Sequence, residues 1–359
     1  MCKRRVYRRD VIFLGAGAMK DLGLPLANEL FEDMHKYFQN IPYERNNSKF
    51  NNFFCDYKKF CNFLNVLMAA YEWYKSDGLF SFPNNKIDYK TINPELVFTL
   101  GDSFKFLLKD MNKQLIENCN VPCDQNYKKL LEKFNNLLSE YLILKAFDYG
   151  EKRREGEKTY LTKIVKSSDT FITTNWDVML EMEFKSSGDV LNPMRIYGYD
   201  IENSQISGKK RKDNVVKIYK LHGYSGLYKK NEKVYLDAKY KILFTQDKLE
   251  LQDKLQNEKF VIHPSYIKIL ESNHMLKVWK QAQQKLLDAE TIDIVGYSLP
   301  DADQAVRTLL MTLRDTKKHI NVILPDEKML EAWKEFLGGG GNIHLHECTA
   351  KYFYCKGEC

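Results

Sequence analysis

Five short apolar runs, each closed by a turn former, constrain this chain more than any other feature. They are VIFLGAG (11–17), DTFITTNWD (169–177), VVKIYKLHG (215–223), TIDIVGYSL (291–299) and HINVILPD (319–326). Each is strand-sized, rich in β-branched residues, and closed by Gly, Asn, Asp or Pro. None alternates strictly, so neither face of the strand is set aside for water. Strands of that kind are covered on both sides, as in a mainly parallel sheet with helices packed over it. The predicted fold class is α/β, a Rossmann-like, mainly parallel sheet.

The interval between the first two runs has another character. Segments such as PELVFTLGDSFKFLLKDMNKQLIENC and QNYKKLLEKFNNLLSEYLILKAF place Leu, Phe and Tyr at helical spacing among Lys and Asn. They predict an inserted helical module over residues 38–160, with 1–37 and 161–359 forming the Rossmann-like domain. AMKDLGLPLANEL, directly after Gly17, has the look of a helix. GLYKKNEKVYLDAKYKI alternates and turns through KKNEK like a hairpin, and 262–289 reads as a helix leading into the strand at 291. With 359 residues, 44% of them hydrophobic, the chain can bury one large core or two modest ones, which argues against disorder.

Several function classes drop out. The apolar runs fall far short of the roughly 18 residues a membrane span needs. Lys3, Arg4, Arg5, Arg8 and Arg9 precede the first strand without an apolar signal core, and read as a solvated basic edge. The net charge of +7 is a mild bias spread along the chain, and the GKKRK cluster at 208–212 reads as a solvated loop, so direct nucleic-acid binding is not expected. Eight cysteines stand at 2, 55, 61, 119, 123, 348, 355 and 359 without a single CxxC pair, which points to reduced thiols in a cytoplasm rather than a zinc knuckle. Cys119 and Cys123, four apart, read as an incidental pairing on one helix face.

In open α/β sheets, ligands bind beyond the carboxyl ends of the strands. The polar residues there are Gly15-Ala16-Gly17, Thr174-Asn175-Trp176-Asp177, His222-Gly223, Gly296-Tyr297-Ser298 and Pro325-Asp326. Gly-Ala-Gly permits a tight turn, close backbone approach and amides aimed at a diphosphate. It departs from the dinucleotide fingerprint, whose third glycine would fall on Lys20. Asn175 and Asp177 are poor strand residues, and together at the end of a buried run they suggest a ligand; for Asp177 alone, an Asx turn is the alternative. His222 suits proton removal near neutral pH, against the alternative of a satisfied structural histidine. Gly296 and Ser298 offer a small residue and a hydroxyl at a fourth strand end, where Ser298 or Asp301 as a helix cap is equally open.

Taken in order, GAGAMKDLGLP, TTNWD, KLHGYSG, PSYIKI with Trp279, and IVGYSLPDAD resemble the sirtuin-like domains of bacterial antiviral defence proteins. The resemblance covers roughly 11–36 and 165–330. It implies that NAD is a substrate, cleaved between nicotinamide and ribose. It also implies that Gly15, Ala16 and Gly17 hold the diphosphate, that Asn175 orders the nicotinamide ribose and the attacking water, and that Asp177 meets the carboxamide. His222 would be the base at a ribose hydroxyl, Gly296 and Ser298 would contact the phosphate and adenosine side, and Asp326 the adenosine ribose. Protein-deacylating sirtuins carry a four-cysteine zinc ribbon after the catalytic histidine. Residues 224–290 hold no cysteine, and GLPLANEL stands in place of their GIPDFR-like segment.

The resemblance thus implies an NAD glycohydrolase without a metal, a toxic effector of antiphage defence, assembled as a homo-oligomer and held in check by a co-encoded sensor or ATPase, for example of HerA type. A nucleotide-sensing module without catalysis and a protein deacylase are the alternatives.

Overall fold

The computed structural model describes residues 8–40, 124–156, 159–187, 196–197, 216–230, 233–236, 258–261, 273–338 and 342–356. The chain divides into two compact units. One comprises Met1–Leu26, Leu142–Ile262 and Ile269–Cys359; the other comprises Ala27–Tyr141 and His263–Lys268. The segment 41–123, which carries most of the expected helical module, lies outside the described residues, as do GKKRK and the start of the helix expected from 262.

The first unit is built on a six-stranded parallel sheet. Its strands are β1 (Val11–Leu14), β2 (Thr170–Thr173), β3 (Lys217–Lys220), β7 (Thr291–Val295), β8 (His319–Leu324) and β9 (Ile343–Glu347), in the order β3-β2-β1-β7-β8-β9. All five pairings are parallel, with Phe13 opposite Ile172 on one side and Ile294 on the other. The predicted α/β fold class is therefore the fold of this unit. Val11, Ile12, Phe13 and Leu14 are all buried, as a run without alternation requires. The chain begins in the middle of the sheet, builds outward to β3, then returns to the far side of β1. The two halves part between β1 and β7, where such sheets open their crevice.

Helices cover this sheet. α3 (Leu161–Ser167) leads into β2 and α4 (Met179–Ser186) leaves it, and the two pack on each other. α5 (Asn273–Asp288) packs on β3, and α7 (Glu327–Leu337) on β8 and β9. α6 (Gln304–Leu310) follows β7, and α8 (Ala350–Lys356) lies on α3 and β8. Beside the main sheet stands a three-stranded antiparallel one, β5-β4-β6, made of β4 (Gly223–Lys230), β5 (Lys233–Leu236) and β6 (Glu258–Val261). β4 and β5 form the expected hairpin, with Lys230 opposite Lys233.

In the second unit, α1 (Leu30–Asn40) packs against residues 134–141 of α2 (Asp124–Arg154). Phe31 and Phe134 meet with ring centroids 5.7 Å apart, and the Tyr141 hydroxyl donates to Asp33.

Three expectations need correction. The stretch after Gly17 is a 3-10 turn, Ala16–Leu22, and the α-helix starts only at Leu30. Gly23 takes the left-handed conformation at φ 87° and Pro25 follows, so an α-helix cannot run through. Arg9 is not solvated: its Nε sits 2.8 Å from Asp293, a carboxylate buried within β7 that would otherwise lack a counter-charge. Arg8 pairs with Asp169 and stays exposed. Cys348 is disulfide-bonded rather than reduced, since the fold and not the sequence spacing decides which sulfurs meet, whereas Cys355 is a free, exposed thiol.

Candidate active site

The carboxyl ends of β1, β2, β3 and β7 lie side by side, and a series of hydrogen bonds joins the loops that leave them. After β1, the Gly15 amide donates to the Val295 carbonyl at 2.9 Å and the Gly17 amide to the Gly296 carbonyl at 2.9 Å. Backbone meets backbone so closely that a Cβ on Gly15 would lie 2.5 Å from the Gly296 oxygen, and one on Gly296 would lie 2.0 Å from the Ala18 nitrogen. Gly296 also sits at φ 65°. These glycines are therefore required by the approach of two strand-end turns. The Gly15 and Gly17 amides, expected at a diphosphate, are committed to that approach. The 3-10 turn is also held by the buried Tyr160 hydroxyl, which donates to the Ala18 carbonyl at 2.5 Å.

At the end of β2, the Thr173 hydroxyl donates to the Leu14 carbonyl at 2.9 Å and accepts the Asn175 amide at 3.0 Å. The half-buried Asn175 side chain donates through Nδ2 to the Gly15 carbonyl at 3.1 Å. Asn175 is thus fastened to the Gly-Ala-Gly turn. Asp177 behaves otherwise. Its buried carboxylate accepts the Met179 amide at 2.9 Å and starts α4, the Asx-turn role that the sequence left open. Burial pushes this carboxyl above its ordinary range, opposed by the Lys220 charge and the Met179 hydrogen bond.

Lys220, the last residue of β3, is 4% exposed. Its ammonium donates to the Asp177 carbonyl at 2.5 Å, pairs with Glu181 Oε1 at 3.2 Å and lies 5.2 Å from the centre of the Tyr224 ring. Glu181 is fully buried and also accepts the Tyr197 hydroxyl at 2.6 Å. A cation thus binds the β2 loop to the β3 end. In addition, Trp176 Nε1 donates to the His222 carbonyl at 3.1 Å, Ser225 donates to the Trp176 carbonyl at 3.0 Å, and Trp279 donates to the Leu221 carbonyl at 2.9 Å.

His222 is buried, and its Nε2 lies 2.9 Å from Asp303 Oδ1. Asp303 comes from the 3-10 turn Asp301–Asp303 after β7 and accepts the Tyr297 hydroxyl on its other oxygen at 3.0 Å. Ser298 is half-buried between Tyr297 and Leu299. Asp301 is exposed and pairs with Arg307 at 3.1 Å, and α6 begins without a side-chain cap. Asp326 stands apart from these loops in role: it is exposed and caps α7 by accepting the Met329 amide at 3.1 Å.

The structure therefore links Gly15, Asn175, His222 and the Gly296–Ser298 loop, and gives Asp177 and Asp326 helix-starting roles. Lys220 and Asp303 are the residues that sequence reasoning passed over, and Tyr297, named there only as a strand-end residue, is the partner of Asp303. The signal was present in KLHG and PDAD, where a cation and a carboxylate flank the histidine's neighbourhood, but nothing along the chain pairs them. Among the described residues, no three His, Cys, Asp or Glu side chains stand together as a metal site, and no helix is long and apolar enough to cross a membrane.

The family comparison falls on these loops. Residues 169–335 match the family model of the SIR2-like domain, a span that runs from β2 to α7 and takes in Asn175, His222, Gly296 and Asp303. No curated protein matches the chain. The parallel sheet and the matched span together show that the chain carries a Sir2-family domain, a domain type whose members act on NAD.

Proposed function

We propose that this domain cleaves NAD between nicotinamide and ribose, releasing nicotinamide and ADP-ribose. The observation that carries the proposal is the placement of Asn175 and His222 on adjacent parallel strand ends, joined through Trp176, at the carboxyl edge where α/β sheets take ligands. One Nδ2 hydrogen of Asn175 is committed to Gly15, and the amide oxygen is the acceptor that suits a ribose hydroxyl or a water. His222 is the base at a ribose hydroxyl.

As the glycosidic bond breaks, its electron pair leaves with nicotinamide, which becomes neutral, and the ribose takes on oxocarbenium character. Preorganised dipoles and a held water answer that charge better than bulk solvent does. Water then adds its oxygen to the ribose carbon and loses a proton. The reading extends, on the resemblance alone, to a toxic effector in antiphage defence acting as an oligomer with a co-encoded sensor or ATPase.

The test is nicotinamide release from NAD by the purified chain, with and without the product of a neighbouring gene. His222→Ala and Asn175→Ala should each lower the rate by about 100-fold or more while the melting curve is kept. Full cleavage in either variant refutes the assigned roles. A second reading, nucleotide sensing without turnover, is favoured by the hydrogen bonds that both residues already make within the chain. NAD binding in calorimetry with no nicotinamide formed under any condition would establish it.

A further inference from the structure

We propose that Asp303 is the positioning residue of His222, fixing which ring nitrogen carries the proton and which receives one. This rests on the NAD-cleavage reading for its consequence, though not for its geometry. An ionised aspartate only accepts hydrogen bonds, so the hydrogen in the 2.9 Å contact belongs to His222 Nε2. In the neutral ring the lone pair then sits on Nδ1. When His222 acts as base, the proton leaves a ribose hydroxyl and arrives at Nδ1. The imidazolium so formed is stabilised by the carboxylate, which takes up no proton itself.

The pair is built rather than incidental. His222 is 6% exposed and Asp303 is 3% exposed, so little solvent competes for the contact. The second Asp303 oxygen is held by the Tyr297 hydroxyl at 3.0 Å. Tyr297 in turn is locked: its carbonyl accepts Trp333 Nε1 at 2.8 Å, and its ring lies edge-on to Phe13 at 5.1 Å. The loop between them takes two left-handed residues, Gly296 at φ 65° and Leu299 at φ 55°. A left-handed leucine persists only where its surroundings enforce it, and here Arg307 Nη1 grips the Leu299 carbonyl at 2.8 Å. The loop's strain delivers Asp303 to a ring that arrives from β3, half a sheet away in the strand order.

The first arm of the test needs no activity. In the full chain labelled with 15N-histidine, the His222 signals are assigned by their loss in His222→Gln, and long-range proton–nitrogen spectra read the tautomer. The wild type should show Nε2–H, and Asp303→Asn should shift the ring toward Nδ1–H. A wild-type ring protonated on Nδ1, or a tautomer indifferent to Asp303→Asn, overturns the proposal.

The second arm is kinetic. Asp303→Asn should lower kcat for nicotinamide release by about 100-fold or more with KM within about threefold, and should cost nothing further in a His222→Ala background, because residues acting as one unit are not additive. An equal loss in that background overturns the assignment. Should Asp303→Asn fail to fold, Tyr297→Phe keeps the ring packing, and should lower kcat by about three- to tenfold; an unchanged kcat counts against the proposal. If the wild type cleaves no NAD, the tautomer result still decides the positioning claim and only the reaction assignment falls.

Discussion

Two joints hold the crevice edge together, and they use opposite chemistry. Between β1 and β7, three glycines bring backbone against backbone, with amides donating straight to carbonyls. Between β2 and β3, ionisable side chains do the joining, with buried Lys220 reaching the Asp177 carbonyl and Glu181. The first joint has no titratable part and no spare room. The second tolerates shape but depends on charge being matched where water is scarce.

The largest effect that would break this contrast is Gly296→Ala. Its Cβ would fall 2.0 Å from the Ala18 nitrogen at a backbone of φ 65°, so both turns must separate, at a cost above about 4 kcal/mol in urea unfolding. A loss under about 1 kcal/mol would show that the close approach is not needed. Next comes Lys220→Met, which keeps the apolar stem but leaves Glu181 buried without its cation. A loss of about 3 kcal/mol in urea unfolding is expected. A loss under about 1 kcal/mol would mean that packing of the stem, not charge, is what Lys220 supplies.

A smaller effect sharpens the second joint. The Asp177 carboxyl is raised by burial, so the folded state holds its proton more tightly than the unfolded state does. That contribution is present in acid and is lost as pH rises from the ordinary carboxylate value through the raised one. Asp177→Asn keeps an oxygen for the Met179 amide and should flatten that slope when unfolding is followed from acid to neutral pH.

Asp10 should give the smallest effect. Burial would raise its carboxyl, but hydrogen bonds from Thr291 and Glu290 and the charge of Lys318 lower it on balance. Its stabilisation is therefore present above the ordinary aspartate value and lost as pH falls below it. At this exposed site Asp10→Asn should cost less than about 1 kcal/mol, seen as a shallower acid limb in unfolding.

The parallel core was legible because buried strands have no polar face to hide. Val11–Leu14, Phe171–Ile172 and Ile292–Val295, apart from Asp293, read as apolar on every side. β9 escaped because IHLHE lies at the sheet's edge, half-exposed and carrying two histidines and a glutamate, so neither period nor hydrophobicity marks it. β6, EKFV, was too short and too charged to stand out. Asn175 and His222 stood out because strand ends are where polar residues need a reason. Asp303 and Lys220 were missed because their partners come from other strand ends: His222 is 81 residues from Asp303, and Lys220 is 43 from Asp177. The helix expected after Gly17 failed on Gly23 and Pro25, whose veto outweighs the apolar spacing around them.

The order of strands also governs when the domain becomes competent during synthesis. Asp10, beside β1, must wait for Thr291, 281 residues further along, before its bonds can close. A nascent chain that already carries Asn175 and His222 has neither the Gly296 turn nor Asp303, and pairings so distant in sequence close late. On the proposed NAD-cleaving reading, a nascent chain thus lacks a finished site until Asp303 has emerged to meet His222, which would shelter the dinucleotide pool until then.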